Sequence, residues 1–217
     1  FGPLDYGVIG GEGAVSWHWD GTAPASEGFL AYWAVRALAG AIAADPEIAP
    51  HLKPRVHPGV VVDGAGAIGL PSGGRRAGLS PELAAVVRLA DGERSLLEIA
   101  RELGLPPGEA AARVALLEQK RVVSTEIPVP AAVYHPLDVL RDEVSAFPAG
   151  PARSRWLEVL DDFRRLRDRF GSGDRAEQAA ALAEAEEKFS ALTGLAPRRA
   201  GGEVYADRTL LTQECRG

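Results

Sequence analysis

A chain of 217 residues can bury one large core or two modest ones. Its 46% hydrophobic and 25% charged content is ordinary for a soluble globular protein, and a net charge of −6 argues against a dedicated nucleic-acid binder, although a local basic patch would still suit RNA. A single cysteine, Cys215, excludes an internal disulfide and a cysteine zinc cluster, no run of about 18 apolar residues marks a membrane span, and no secretory signal is visible, so the cytoplasm is the expected location. The chain opens at Phe1 and contains no Met, and so reads as a piece of a longer protein or as one trimmed at both ends.

Residues 1–25 are rich in Gly and aromatics without clear periodicity. Val15 to Trp19 suits a short strand, and Trp17-His18-Trp19 suits a hydrophobic anchor under a loop. Ser26-Glu27 is expected to cap a helix running to about Ala44, with Leu30, Trp33, Ala34, Ala37, Leu38 and Ile42 on its apolar face and Asp45-Pro46 ending it.

Residues 55–79 read as strands, RVHPGVVVDG, AIGLPSGG and RRAGL, with Gly-rich breaks at 64–66 and 73–74 that suit hairpin turns. GAGAIG is no nucleotide fingerprint, because the helix that must follow is missing. Three short helices come next. Leu83, Val86, Val87 and Ala90 make one stripe; Leu96, Ile99, Ala100 and Leu103 a second; Ala110, Val114 and Leu117 a third. Asp91-Gly92 punctuates the first pair, Gly104 follows the second helix, and Pro106-Pro107 can open the third. Arg121-Val122-Val123 then turns β-branched. Helix, helix, helix and strand is the order of a winged helix-turn-helix, although sheet precedes the helices here.

Residues 126–152 form a connector with five prolines and one short amphipathic segment, Pro136 to Ala146. Two longer helices follow. Trp156, Val159, Leu160, Phe163, Leu166 and Phe170 keep one face of the first, and Leu182, Ala185, Phe189 and Leu192 one face of the second. Gly171-Ser172-Gly173 is the expected turn of an antiparallel pair, and Thr193-Gly194 the end of the second helix. The tail EVYADRTLLTQEC reads as strand, turn, strand. A lone hairpin is marginal in water, so it is expected to pair with sheet outside this sequence or with the strand near 15–19.

No catalytic motif is strong by spacing alone. The four histidines (18, 51, 57 and 135) are scattered, so no metal site is expected, and Cys215 reads as a strand residue. The helical trio has two readings. A DNA reader needs Arg, Lys, Asn or Gln on the first turns of its third helix, and here Arg113 is the one early donor. From Glu82 to Arg121 six basic residues face seven acidic ones, so phosphate attraction would be weak. The peptide reading fits better. A strand ending in GRRAGL beside the small-residue helix EAAARVALL makes a groove in which an extended peptide could add a strand, its side chains over Ala112, Ala115, Leu116 and Gln119. Arg75, Arg76, Ala77, Gly78, Leu79 and Arg113 complete this candidate peptide site. The arginines of residues 153–169 are diluted by acids and read as a solvated helix face, whereas Pro197-Arg198-Arg199 and Asp207-Arg208 suit phosphate or carboxylate capture.

SEGFLAYWAVRALAGAIA, LKPRVHPG and FSALTGLAPRRAGGEVYADRTLLTQECRG resemble the N-terminal region of lantibiotic dehydratases, including relatives that act in thiopeptide biosynthesis. The last segment is the most specific, with F-x-x-L-T-G, the Arg and Gly after it, Y-A-x-R-T-L and an acidic-Cys-Arg end. The resemblance spans about Ser26 to Gly217. It implies an enzyme that takes glutamate from glutamyl-tRNA as co-substrate, with no other cofactor and no metal, and esterifies it onto Ser or Thr of a precursor peptide. A separate domain then eliminates glutamate to leave dehydroalanine or dehydrobutyrine. It implies a leader-peptide recognition element at about 55–125, pairing the leader against Gly74–Leu79 and Glu109–Lys120. Arg208 matches the family's Arg, and Glu214 stands where the family has Asp, so these two are the implied catalytic pair. Arg198 and Arg199 are the candidate tRNA contacts.

The expected fold is α+β: a winged helix-turn-helix of three strands then three helices, embedded in a larger mixed α/β domain with an antiparallel helix pair. The expected organisation is an N-terminal segment at 1–54, the recognition element at 55–125, and a connector, helix pair and C-terminal hairpin of the glutamylation domain at 126–217. The expected partners are the precursor leader peptide, glutamyl-tRNA and the remainder of the dehydratase in cis or in trans, with no DNA and no membrane. Leader binding, without glutamylation by this piece alone, is the expected activity. The alternative is a winged-helix DNA-binding regulator.

Overall fold

The computed structural model describes residues 25–62, 67–69, 77–198 and 210–216. The expectations on Val15–Trp19, the Gly breaks at 64–66 and 73–74, Arg75, Arg76, Arg199, Arg208 and the first strand of the tail hairpin lie outside these residues. The fold is α+β, with helices and three small antiparallel sheets among the described residues. Backbone contacts divide it into two units. One comprises the described parts of Phe1–Leu38, Val129–Asp142 and Leu157–Gly217, and the other Ala39–Pro128 with Glu143–Trp156.

The first unit holds a strand pair that the sequence does not advertise. Strand β1 (Ala25–Leu30) runs antiparallel to β7 (Leu211–Arg216), from Ala25 opposite Arg216 to Leu30 opposite Leu211. The expected cap at Ser26-Glu27 is therefore corrected. These residues are strand, and helix α1 begins at Tyr32 and runs to Ala43. The physical reason is long-range: Leu30 and Leu211 are both buried, and the Ala31 N–H donates to the Leu210 carbonyl at 2.7 Å, so backbone groups at the chain's far end capture this stretch for the sheet. Among the described residues the tail strand β7 pairs with β1, a partner the sequence reading did not name; the stretch near 15–19 lies outside them.

Helices α5 (Pro136–Ser145), α6 (Pro151–Ser172) and α7 (Arg175–Thr193) match the expected segment and helix pair. Ion pairs Lys188–Asp162 at 2.9 Å and Arg169–Glu184 at 2.9 Å run in opposite sequence directions, which fixes α6 and α7 as antiparallel. The turn between them is narrower than expected. Gly171 and Ser172 are helical, and Asp174 caps α7 by accepting from the Ala176 and Glu177 N–H groups, with Glu177 returning to the Asp174 N–H. Gly171 serves another purpose. A Cβ on it would overlap the Gly28 nitrogen, and a Cβ on Gly28 would overlap the Arg167 carbonyl oxygen. The two glycines let β1 lie directly on the backbone of α6, and the Ser26 hydroxyl donates to the Gly171 carbonyl. The inward face of α7 is built on Ala181, Ala185 and Phe189, with Leu182 and Leu192 only half-buried. Trp33 meets Phe189 edge-on at 5.4 Å.

The second unit contains β2 (Arg55–Val56), β3 (Val61–Val62), β4 (Ala67–Gly69), β5 (Ala77–Gly78), then α2 (Pro81–Leu89), α3 (Leu96–Glu102), α4 (Pro107–Gln119) and β6 (Val123–Ser124). The first expected strand, RVHPGVVVDG, is two strands. Pro58-Gly59 turns the chain, with the Val60 N–H donating to the His57 carbonyl at 2.8 Å, so β2 pairs with β6 while β3 joins the sheet β3-β4-β5. The three helical stripes close on one core of Val86, Val87, Ala90, Ile99, Val114, Leu117, Val122 and Val123, with Leu79, Leu83 and Leu96 packed against it.

Each helix end in this unit has a local cause. Ser80 caps α2, and Ser95 with Glu98 forms a capping box on α3. The Asp91 carboxylate accepts from the Glu93 and Arg94 N–H groups while Gly92 takes φ +83°. Helices α3 and α4 both end in a Schellman motif: Leu105 N–H donates to the Ala100 carbonyl and Val122 N–H to the Leu117 carbonyl, each at 2.9 Å. The left-handed residue is Gly104 in the first (φ +64°) but Arg121 in the second (φ +55°), where a side chain costs about 1 kcal/mol.

Candidate functional site

The expected peptide seam lies in the second unit. In the order β3-β4-β5, strand β5 bonds to β4 through Ala67 opposite Gly78 and Ile68 opposite Ala77, and its other edge has no strand partner among the described residues. Gly78 is exposed, and a Cβ there would meet nothing within 4 Å. Leu79, just after β5, packs against the shared core to which α4 contributes Val114 and Leu117. Helix α4 divides cleanly by burial. Ala110, Val114 and Leu117 face in, while Ala112, Ala115, Leu116 and Gln119 are exposed, with Leu116 41% accessible. Arg113 is bound to Glu109 at 2.6 Å, one turn back on the same helix. A free strand edge, short alanines and one unpartnered leucine suit an extended chain adding a strand and seating an apolar side chain on α4. Of the candidate residues, Ala77, Gly78, Leu79, Ala112, Arg113, Ala115, Leu116 and Gln119 are described; Arg75 and Arg76 are not.

The family-like tail falls in the first unit. Glu214 stands in β7 with its Cα opposite that of Glu27 in β1; its side chain, like Arg208, lies outside the described part. Around Glu27 is a group that sequence reasoning missed. His135 Nε2 sits 2.9 Å from one Glu27 oxygen, the Tyr134 hydroxyl 3.4 Å from the other, and the Phe29 ring stacks on His135 at 5.2 Å with an interplanar angle of 7°. The one signal was the pair Tyr134-His135 between prolines. Nothing in the sequence links it to a glutamate 108 positions earlier, since His135 minus Glu27 is a separation that only the fold closes.

Arg198 donates to both Glu186 oxygens, at 2.9 and 3.3 Å, and remains largely exposed. The arginines of α6 are also engaged. Arg164 and Arg167 reach Asp138 at 2.7 and 3.1 Å, Arg165 pairs with Asp162, and Arg155 meets Asp45 at 2.6 Å. Arg141 on α5 grips Asp161 through two hydrogen bonds of 2.7 and 3.1 Å. That grip, aided by Arg164 and opposed by partial burial, holds the Asp161 carboxyl below its ordinary range. Asp162 is lowered in the same way, first by Lys188. Of these charges, Arg164 and Arg167 with Asp138 and Arg141 with Asp161 join α5 to α6, and Lys188 with Asp162 joins α6 to α7.

No family model matches the sequence, and no curated protein matches it. Among solved structures the chain is similar to the glutamylation domain TbtB from thiomuracin biosynthesis, at 20% identity and a TM-score of 0.48, over 93% of this chain and 24% of that one. The chain thus spans about a quarter of that structure's length.

Proposed function

We propose that this chain is the leader-recognition and partial glutamylation region of a tRNA-dependent peptide dehydratase. Two observations support the reading: β5 has an edge without a strand partner among the described residues, and α4 exposes Ala112, Ala115, Leu116 and Gln119. In this reading residues 55–125 act as a winged-helix module whose groove, rather than its helix tip, does the binding. The leader peptide pairs with Arg75–Leu79 through backbone hydrogen bonds and lays apolar side chains over Leu116. In the longer enzyme, with the rest of the dehydratase in cis or in trans, the glutamyl group passes from its tRNA ester to a peptide Ser or Thr oxygen. The tRNA hydroxyl leaves as the new ester forms. Arg208 and Glu214 are proposed for that centre, and Arg198 and Arg199 for the tRNA. The pairing of Arg198 with Glu186 means that a phosphate would have to displace a carboxylate there.

The test is fluorescence anisotropy with the leader of the precursor encoded beside the gene. Saturable binding in the micromolar range is expected, and Leu116→Glu, a change at an exposed position, weakens it by about tenfold or more as burial of one leucine is lost. No binding at about 100 µM overturns the reading.

A further inference from the structure

Neighbouring side chains and its own backbone fix the ring of His135. Phe29 stacks on one face, Tyr134 meets the ring edge-on at 4.7 Å, and Phe29 and Tyr134 meet each other edge-on at 4.9 Å. The His135 carbonyl accepts the Asp138 N–H at 3.1 Å, which anchors the residue at the start of α5. Glu27 then distinguishes the two ring nitrogens. Its Oε1 lies 2.9 Å from Nε2, and a carboxylate only accepts, so Nε2 carries the hydrogen. In a neutral imidazole the other nitrogen, Nδ1, then keeps its lone pair. Nδ1 has no hydrogen-bond partner among the described residues, and the side chain is 25% exposed. The strand register adds a second fact. Position 214 of β7 lies directly opposite Glu27, and directly opposite positions of an antiparallel pair share one face of the sheet.

We propose that His135 is the general base of the glutamyl transfer, with Glu27 as the residue that positions it. This rests on the glutamylation reading above, in which Glu214 belongs to the transfer centre. Nδ1 takes the proton from the Ser or Thr hydroxyl of the precursor peptide as its oxygen attacks the glutamyl carbonyl. The ester bond to the tRNA ribose oxygen breaks, and Nδ1 hands the proton to that oxygen as it leaves. A fixed imidazole with one nitrogen held by a carboxylate suits this work. The carboxylate keeps the basic nitrogen free and stabilises the imidazolium that forms.

The experiment measures glutamyl ester formation on the precursor by the complete dehydratase that contains this chain, with glutamyl-tRNA supplied. His135→Ala is expected to slow transfer by about a hundredfold or more, with circular dichroism unchanged. Added imidazole is expected to restore part of the rate in His135→Ala, which loss of a merely structural clasp would not allow. Glu27→Gln is expected to lose less. Nitrogen-15 NMR of the full chain is expected to report Nε2–H with bare Nδ1 in the wild type, and a mixture of tautomers in Glu27→Gln. Transfer by His135→Ala within about threefold of the wild type, a loss that imidazole does not relieve, or a wild-type Nδ1–H tautomer would each overturn the proposal. A wild-type dehydratase that forms no glutamyl ester overturns the glutamylation reading and this assignment with it, whereas a failed His135 test leaves that reading standing.

Discussion

The helical trio of the second unit and the β1–β7 pair of the first are made in opposite ways. Each helix of the trio carries its own start and stop within about a dozen residues: Ser80, Ser95 and Glu98, Pro107, Gly104. The strand pair joins residues 25–30 to 211–216, and its shape depends on two glycines, Gly28 and Gly171, that meet only in the fold. Local chemistry specifies the first, and closure of a long chain specifies the second. The contrast predicts different sensitivities to mutation.

The largest effect is expected at the point where the trio's stripes converge. Leu117 is fully buried in the shared core, so Leu117→Ala costs about 2–5 kcal/mol in a urea titration. Gly171→Ala tests the non-local side. Its new Cβ has backbone, not a flexible side chain, in its way, so a loss of about 1–3 kcal/mol is expected, with the strand pair loosened more than the trio. Hydrogen exchange resolves which unit gives way. If Gly171→Ala is neutral, the close approach of β1 to α6 is wrong.

A pH test sharpens the account of the α5–α6 contact. Asp161 has a folded pKa below its unfolded value of about 3.8, because Arg141 and Arg164 favour the carboxylate over the opposing effect of burial. Its stabilisation is therefore present above the unfolded pKa and is lost as pH falls through the folded pKa. The urea midpoint of the wild type should drop more steeply between about pH 5 and pH 3 than that of Arg141→Met. Parallel curves would show that the pair contributes nothing. The smallest effect has the opposite sign. Arg121 closes α4 at φ +55°, and Arg121→Gly should raise stability by up to about 1 kcal/mol.

These contrasts also explain what the sequence could disclose. The three stripes of the trio, the Pro136 segment and the long helix pair were legible because 3.6-residue periodicity and caps are local signals. The strand at Ala25–Leu30 was not, since Ser26-Glu27 before Leu30, Trp33 and Ala34 looks like a capped helix until β7 claims the backbone. RVHPGVVVDG hid a turn at Pro58-Gly59 inside an apolar run. Gly171 read as a turn glycine because a close backbone approach leaves no local trace. At the candidate site, the exposed alanines and Leu116 on α4 followed from the same helical period that buried Val114 and Leu117. The group of Glu27, Phe29, Tyr134 and His135 did not, being assembled from two distant stretches.

The central claim concerns which of the two regions meets the leader peptide. Amide hydrogen exchange on the full chain, with and without saturating leader, asks this directly. The account predicts slower exchange at Ala77, Gly78 and Leu79 as the free edge gains a strand, with the amides of Ala25–Leu30 unchanged. No new protection at 77–79, or protection confined to Ala25–Leu30 and its partner strand, would contradict it.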